Sequence, residues 1–366
     1  MGERVRVAYT LMRCWHHVPG GTASSVLALA EAMAASPTSS SWAHRALLGG
    51  VPAAPWTPPI PWKAGALPAD LRRLAPQLGC FRRRGRCAAR RRARTTVTVP
   101  PTAATPLVVT VHDLFPLSAP EQFTSRGVRI MTDGIERARR HADVVCCPSQ
   151  DTLDDCVAAG FDAARLRLVP WGATAPEVTA DDRRRVRDRY RLTRPYVLWV
   201  GTIEPRKNLP TLLDAFARIQ PTEADLVLVG PVGWHEQLEG HIDGVGSKVR
   251  QLGFVPSDDL AALYAEAEVF CFPSLREGFG LPALEAMAQS TPVLAGAGTA
   301  VAEVVGPGGV AIEPTAVDDW ADELRALLAD GSRREALGDA ALERSKEFSW
   351  SRCASQMAGI YRELAS

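Results

Sequence analysis

The stretch Val269-Phe270-Cys271-Phe272-Pro273-Ser274, followed by Arg276-Glu277-Gly278-Phe279-Gly280-Leu281-Pro282-Ala283-Leu284-Glu285-Ala286-Met287-Ala288, reads as a strand, a glycine-loosened turn and the start of a helix. The leading residues are apolar and β-prone, and Pro282 suits the first turn of a helix, where its missing N–H costs nothing. Glu277 then falls in the turn and Glu285, eight positions on, falls inside the helix. The unpaired N–H groups of a helix start attract phosphate, and Gly278 and Gly280 let the backbone come close to it. A carboxylate in that turn could hold sugar hydroxyls, and the second could hold a ribose. Two charges on a turn and a helix are usually only solvated, so the string around the pair carries more weight than the pair itself.

Outward from this stretch, short apolar runs alternate with helix-length amphipathic segments, the pattern of parallel sheets covered by helices. One sheet is expected from residues 4–9, 106–113, 142–149 and 166–171, with helices at 22–35, 125–141 and 150–159. A second is expected from 196–201, 225–230, 248–255, 269–274, 292–295 and 310–313, with helices starting at Asn208 and Ser257 and another carrying Glu285. The polar segment 172–195, with a helix near 181–191, reads as the linker between domains 1–172 and 173–350. Residues 36–105, rich in proline and holding an arginine block, fit no regular element.

A length of 366 residues with 46% apolar content bounds the chain as a two-domain globular α/β protein. The net charge of +1 conceals a split: residues 1–172 hold 22 basic against 12 acidic side chains, and the remainder 20 against 29. Eight arginines between Arg82 and Arg94, with no acid among them, account for most of the first excess. Such a block points to an anionic partner, a membrane surface or a phosphorylated acceptor, and no nucleic-acid partner is expected. The eight cysteines show neither Cys-x-x-Cys spacing nor His partners, so reduced structural thiols and no metal site are expected. The chain opens on a strand-like run, and no stretch reaches the ~18 apolar residues of a membrane span. The expected location is cytoplasmic, at most peripheral on the inner face of the membrane.

Arg206 and Lys207 follow a strand, a turn and Pro205 and precede a helix, so their long cationic side chains can reach a diphosphate. Fixed cations there would stabilise the charge that builds on a departing phosphate without a metal. His112 closes an apolar strand at its C-terminal end, where open α/β sheets bind ligands; a lone histidine there is more often bonded to backbone. Gly20 and Gly21 form a Pro-Gly-Gly turn before a helix, which is most often only a turn. Trp15-His16-His17 is not a metal site, because adjacent histidines in a strand face opposite ways.

Three segments, in order, resemble a known family: Val109-Thr110-Val111-His112-Asp113-Leu114, then Tyr196-Val197-Leu198-Trp199-Val200-Gly201-Thr202-Ile203-Glu204-Pro205-Arg206-Lys207-Asn208, then the Glu277 and Glu285 stretch. They are similar to the "VHDL", "GT.EPRKN" and EX7E blocks of the retaining glycosyltransferases of family 4, most closely bacterial mannosyltransferases of surface-polysaccharide or glycolipid assembly. The resemblance is close from Pro106 onward. It implies a GT-B fold, two Rossmann-like domains around a cleft. Residues 1–172 would bind the acceptor and 173–350 the nucleotide-sugar donor, with the last helix, near 351–366, returning to the first domain. It implies catalytic roles for His112, Arg206, Lys207 and Glu277, and donor contacts at Gly20, Gly21, Gly201, Val255, Gly278, Phe279, Gly280, Leu281, Glu285 and Thr299. The implied reaction moves a hexose, first guess mannose from GDP-mannose, to a hydroxyl of a glycan, glycolipid or small molecule, with retention and with no metal or other cofactor. A GT-B sugar-nucleotide epimerase or an idle nucleotide-binding subunit would share the architecture. Trp171 stands where the family has Asn, and Ser290 and Gly296 depart from its commoner Gly and Ser.

Overall fold

The computed structural model describes residues 5–10, 21–35, 42–47, 106–233, 238–243 and 245–365, which fall into two compact units. In the first, β1 (Val5–Thr10) pairs in parallel with β2 (Trp42–Leu47), Val5 opposite Trp42 and Thr10 opposite Leu47. A second parallel ladder runs β3 (Val108–Thr110), β4 (Val144–Cys147), β5 (Leu166–Leu168) in that order. Parallel neighbours need a crossover. Helix α1 (Gly21–Ala35) supplies it between β1 and β2, α2 (Ser125–His141) between β3 and β4, and α3 (Gln150–Ala158) between β4 and β5.

Val109, Val111, Val145, Cys147, Cys156, Phe161 and Leu166 form the core under the second ladder. Cys146, Cys147, Cys156, Cys271 and Cys353 are buried free thiols. The C-terminal helix Trp350–Glu363 groups with this unit and packs against α1. Strand β2 lies in the region expected to hold no regular element. Its sequence, Trp42-Ala43-His44-Arg45-Ala46-Leu47, lacks clean alternation, and its extended form is fixed by pairing with β1. The arginine block Arg82–Arg94 and Gly20 lie outside the described residues.

The second unit comprises Ser149–Thr152 and Pro170–Ser349. Its sheet has six strands: β6 (Tyr196–Val200), β7 (Asp225–Val229), β8 (Val249–Gly253), β9 (Val269–Phe272), β10 (Val293–Gly296) and β11 (Gly309–Ile312). All pair in parallel, in the order β11-β10-β9-β6-β7-β8. Strands β6, β7, β9 and β10 are buried along their whole length, which is why they read, after Asp225 at the start of β7, as apolar runs rather than alternating ones. Around the sheet run α4 (Ala180–Tyr190), α5 (Leu209–Arg218), α6 (Ser257–Glu266), α7 (Leu281–Ala288), α8 (Ala300–Val305), α9 (Val317–Ala329) and α10 (Gly331–Ser345).

The segment that reads as a linker belongs to this unit. Thr179 and Asp182 close a reciprocal cap at the start of α4, and Arg183 and Arg187 reach Glu266 while Arg185 and Arg189 reach Asp259, both acids on α6.

The strand order decides where a ligand can enter. From β6 the chain winds outward through β7 to β8, then returns to the other side of β6 as β9 and winds outward again. The crossovers leaving β6 and β9 therefore diverge, which makes the carboxyl ends of these two strands the switch point, the place at which doubly wound sheets bind ligands.

Candidate active site

Two turns meet at that switch point. After β6, Gly201 leads to a single helical turn, Pro205–Lys207, and after β9 the chain passes Ser274 to Glu277 before entering α7 at Gly280. Arg206 O accepts from Leu275 N at 2.8 Å, which ties the two turns. Asn208, at φ 52° and ψ 39°, completes the joint. Its Nδ2 donates to Pro273 O at 3.0 Å and to Pro314 O at 2.7 Å, and its Oδ1 accepts from Thr211 Oγ1. One amide thus fastens the ends of β6, β9 and β11.

The tied turns aim four charges at one another. Lys207 Nζ donates to Glu277 Oε1, Arg206 Nη1 donates to Glu277 Oε2 at 3.0 Å, and Arg206 Nη2 lies 2.6 Å from Glu204 Oε1. Lys207, Glu277 and Glu204 are all buried, and Lys207 Nζ sits 4.7 Å from the centre of the Phe272 ring. Burial alone would raise the Glu277 carboxyl, but the Lys207 and Arg206 charges overcome it and hold the group below its ordinary range, so it is ionised. Burial and the Arg206 charge draw Lys207 downward, against the pull of Glu277.

Gly280 has φ +99°, and a Cβ there would stand 2.7 Å from Val301 Cγ2. Only glycine turns the chain into α7 at this point, and that turn sets Glu285 on the helix. Glu285 is partly exposed but densely surrounded. Burial pushes its carboxyl up to about 7, opposed by its one side-chain hydrogen bond among the described residues, from Tyr264 Oη at 3.1 Å to Oε2.

The other residues singled out from the sequence fall in different settings. Gly201 follows β6, and Gly230 packs on it so closely that a Cβ on Gly230 would lie 1.9 Å from Gly201 O. Val255 is buried just past β8. The Gly278 carbonyl accepts from Ser149 Oγ at 2.8 Å and Thr152 Oγ1 at 3.1 Å. Phe279 is buried between Trp171, 5.3 Å away by ring centres, and Phe348, 5.9 Å away, and Leu281 is buried behind it. These two side chains anchor the turn from the protein side. Thr299 donates its hydroxyl proton to Gly296 O at 2.7 Å. His112 follows β3 and Gly21 opens α1, both in the first unit. Among the described residues, no group of three His, Cys, Asp or Glu side chains is placed to hold a metal, and no helix is long and apolar enough to cross a membrane.

The structure thus brings Arg206, Lys207 and Glu277 into direct contact and sets Glu285 on the adjoining helix. Reasoning from sequence missed Glu204, Asn208 and Tyr264. The first two stand in the quoted Gly201–Asn208 run, so the signal was present; Tyr264 lies 21 residues from its partner and gave none.

Solved structures share this architecture. Sucrose-phosphate synthase from Thermosynechococcus elongatus superposes over 100% of both chains with a TM-score of 0.72 at 24% identity. HepE from Anabaena, in complex with UDP-glucose, does so over 70% of this chain and 72% of its own with a TM-score of 0.63 at 24% identity. The fold is that of the GT-B glycosyltransferases. Residues 19–174 match Glycosyltransferase Family 4 and residues 182–344 match Glycosyl transferases group 1. O-antigen chain mannosyltransferase B of Escherichia coli is 32% identical over 268 residues, 70% of this chain and 70% of its own length. The chain spans only 58% and 49% of two further relatives, which are 32% and 31% identical to it. The chain belongs to glycosyltransferase family 4.

Proposed function

We propose that the chain is a retaining hexosyltransferase that uses a nucleoside diphosphate sugar, with GDP-mannose the first donor to test, and works without a metal. The observation that carries this reading is the Arg206–Lys207–Glu277 cluster at the switch point of the second sheet. As the sugar leaves a nucleoside diphosphate, negative charge gathers on the β-phosphate. Arg206 and Lys207 are already fixed and partly desolvated there, so little reorganisation is needed to stabilise it. Lys207 spends one N–H on Glu277, and a three-donor ammonium can bond a phosphate oxygen at the same time. Glu277, kept ionised by the same two cations, faces the sugar as it gains positive charge and accepts its hydroxyls. The proton of the incoming hydroxyl passes to the departing phosphate on the same face, which preserves the anomeric configuration.

The resemblance to O-antigen chain mannosyltransferase B favours mannose, and the UDP-glucose bound by HepE makes UDP-glucose the competing donor. The acceptor we propose is a glycan or lipid-linked hydroxyl at the inner face of the cytoplasmic membrane, met by the Arg82–Arg94 block. Incubation with α-linked GDP-mannose or UDP-glucose in EDTA tests the core of the proposal. An α-linked product is expected; an inverted product, or activity restored only by Mg²⁺ or Mn²⁺, would overturn it.

A further inference from the structure

Tyr264, on α6, has no place in the motifs, yet it is among the most tightly fixed side chains of the second unit. Its ring is 2% exposed and meets Phe270 of β9 edge-on, with ring centres 5.5 Å apart at 71°. Phe270 in turn stacks on Phe272. The Tyr264 carbonyl accepts from Thr291 Oγ1 at 2.7 Å, which pins the backbone as well. The hydroxyl at the far end of this ring is therefore held at one point in space. It donates to Glu285 Oε2 at 3.1 Å, and burial keeps the phenol protonated, so it is a permanent donor.

A phenylalanine would fill the same volume without a polar atom to satisfy, so packing alone does not call for tyrosine. Glu285, by contrast, is partly exposed and accepts no other hydrogen bond from the described residues. A hydrogen bond to one oxygen restricts rotation of the carboxylate about its last bond. Oε1, and the second lone pair of Oε2, then stay pointed in one direction, as a pair of acceptors for a vicinal diol.

We propose that Tyr264 is a positioning residue for the ribose of the nucleotide donor, fixing one oxygen of Glu285 so that the carboxylate is preorganised to accept from the ribose 2′- and 3′-hydroxyls. This rests on the reading of Glu285 as the ribose ligand, and the experiment separates the two. Calorimetric titration is carried out at pH 8.5, above the value of about 7 to which burial raises Glu285, with GDP and with 2′,3′-dideoxy-GDP, or with the uridine pair if the wild type binds UDP more tightly. The proteins are the full-length wild type, Tyr264→Phe, Glu285→Gln and the double variant. The wild type is expected to prefer the ribonucleotide by on the order of tenfold or more, the value of one or two charge-assisted hydrogen bonds. Glu285→Gln should lose most of that preference. Tyr264→Phe should reduce it about threefold to tenfold, leave dideoxynucleotide affinity within about twofold, and add little when combined with Glu285→Gln.

If Glu285→Gln loses the preference while Tyr264→Phe keeps it whole, the positioning role is overturned and the ribose reading stands. If Glu285→Gln keeps the preference, the ribose reading itself fails. If Tyr264→Phe weakens both nucleotides equally, with a lowered melting temperature, the tyrosine serves packing only and the proposal is again overturned.

Discussion

Glu285→Gln is expected to make the folded protein more stable than the wild type at pH 8 and to lose that advantage in mild acid. Burial raises the carboxyl to about 7, above the ordinary 4.5 of a glutamate, so the folded protein holds this proton more tightly than the unfolded chain does. Stability from this group is therefore full below 4.5 and falls away as the pH rises through 7. At about 1.36 kcal/mol per unit, the gap amounts to roughly 3 kcal/mol, an upper figure because Glu285 is partly exposed. Glutamine keeps the shape and the acceptor for Tyr264 without ever ionising. Urea unfolding of both proteins at pH 5 and pH 8 reads the difference, in which the titration of all other groups cancels. The variant should gain on the wild type on the order of 2–3 kcal/mol between the two pH values. An unchanged difference would refute the argument and place Glu285 in an environment no different from water.

Lys207→Ala and Arg206→Ala should lower transfer, by about 10–1000-fold for the stronger of the two, with a smaller loss of nucleoside binding; steady-state kinetics checks this, and an unchanged kcat in the double variant would count against the phosphate role. Glu277→Gln should abolish most transfer while circular dichroism still shows a folded protein, because the amide keeps the shape but loses the field on the sugar; its melting temperature should fall, since Lys207 and Arg206 lose their buried counter-charge. Asn208→Ala should cost about 2–4 kcal/mol in urea unfolding by orphaning the Pro273 and Pro314 carbonyls and leaving a non-glycine residue at positive φ without its side-chain ties.

The fold was legible because the central strands of the second unit are covered on both faces. Val197, Leu198, Phe270 and Phe272 had to be apolar on either side of the pleat, and the helices between them mark parallel crossovers. No element was expected between Glu313 and Ser351, although the buried Trp320, Ala321, Leu324 and Leu327 of α9 carry helical spacing openly. Strand β2 was not legible, since its form comes from β1. At the site, residue types could be read but partners could not. Glu277 meets Lys207 across 70 residues, a pairing set by the strand order rather than by anything near either residue.

The Gly278 carbonyl, one residue past Glu277, is held by the hydroxyls of Ser149 and Thr152, and the Glu303 carboxylate accepts from the amides of Gln150 and Asp151. The second unit is therefore discontinuous along the chain in a way that matters for dissection. A fragment cut as 170–349 would contain every strand of the six-stranded sheet and every charged residue of the cluster, and would still lack the four-residue clasp on the loop that carries Glu277. An excised second unit would need that clasp grafted back, for instance by a circular link that delivers residues 149–152, before its binding properties could be compared with those of the whole protein.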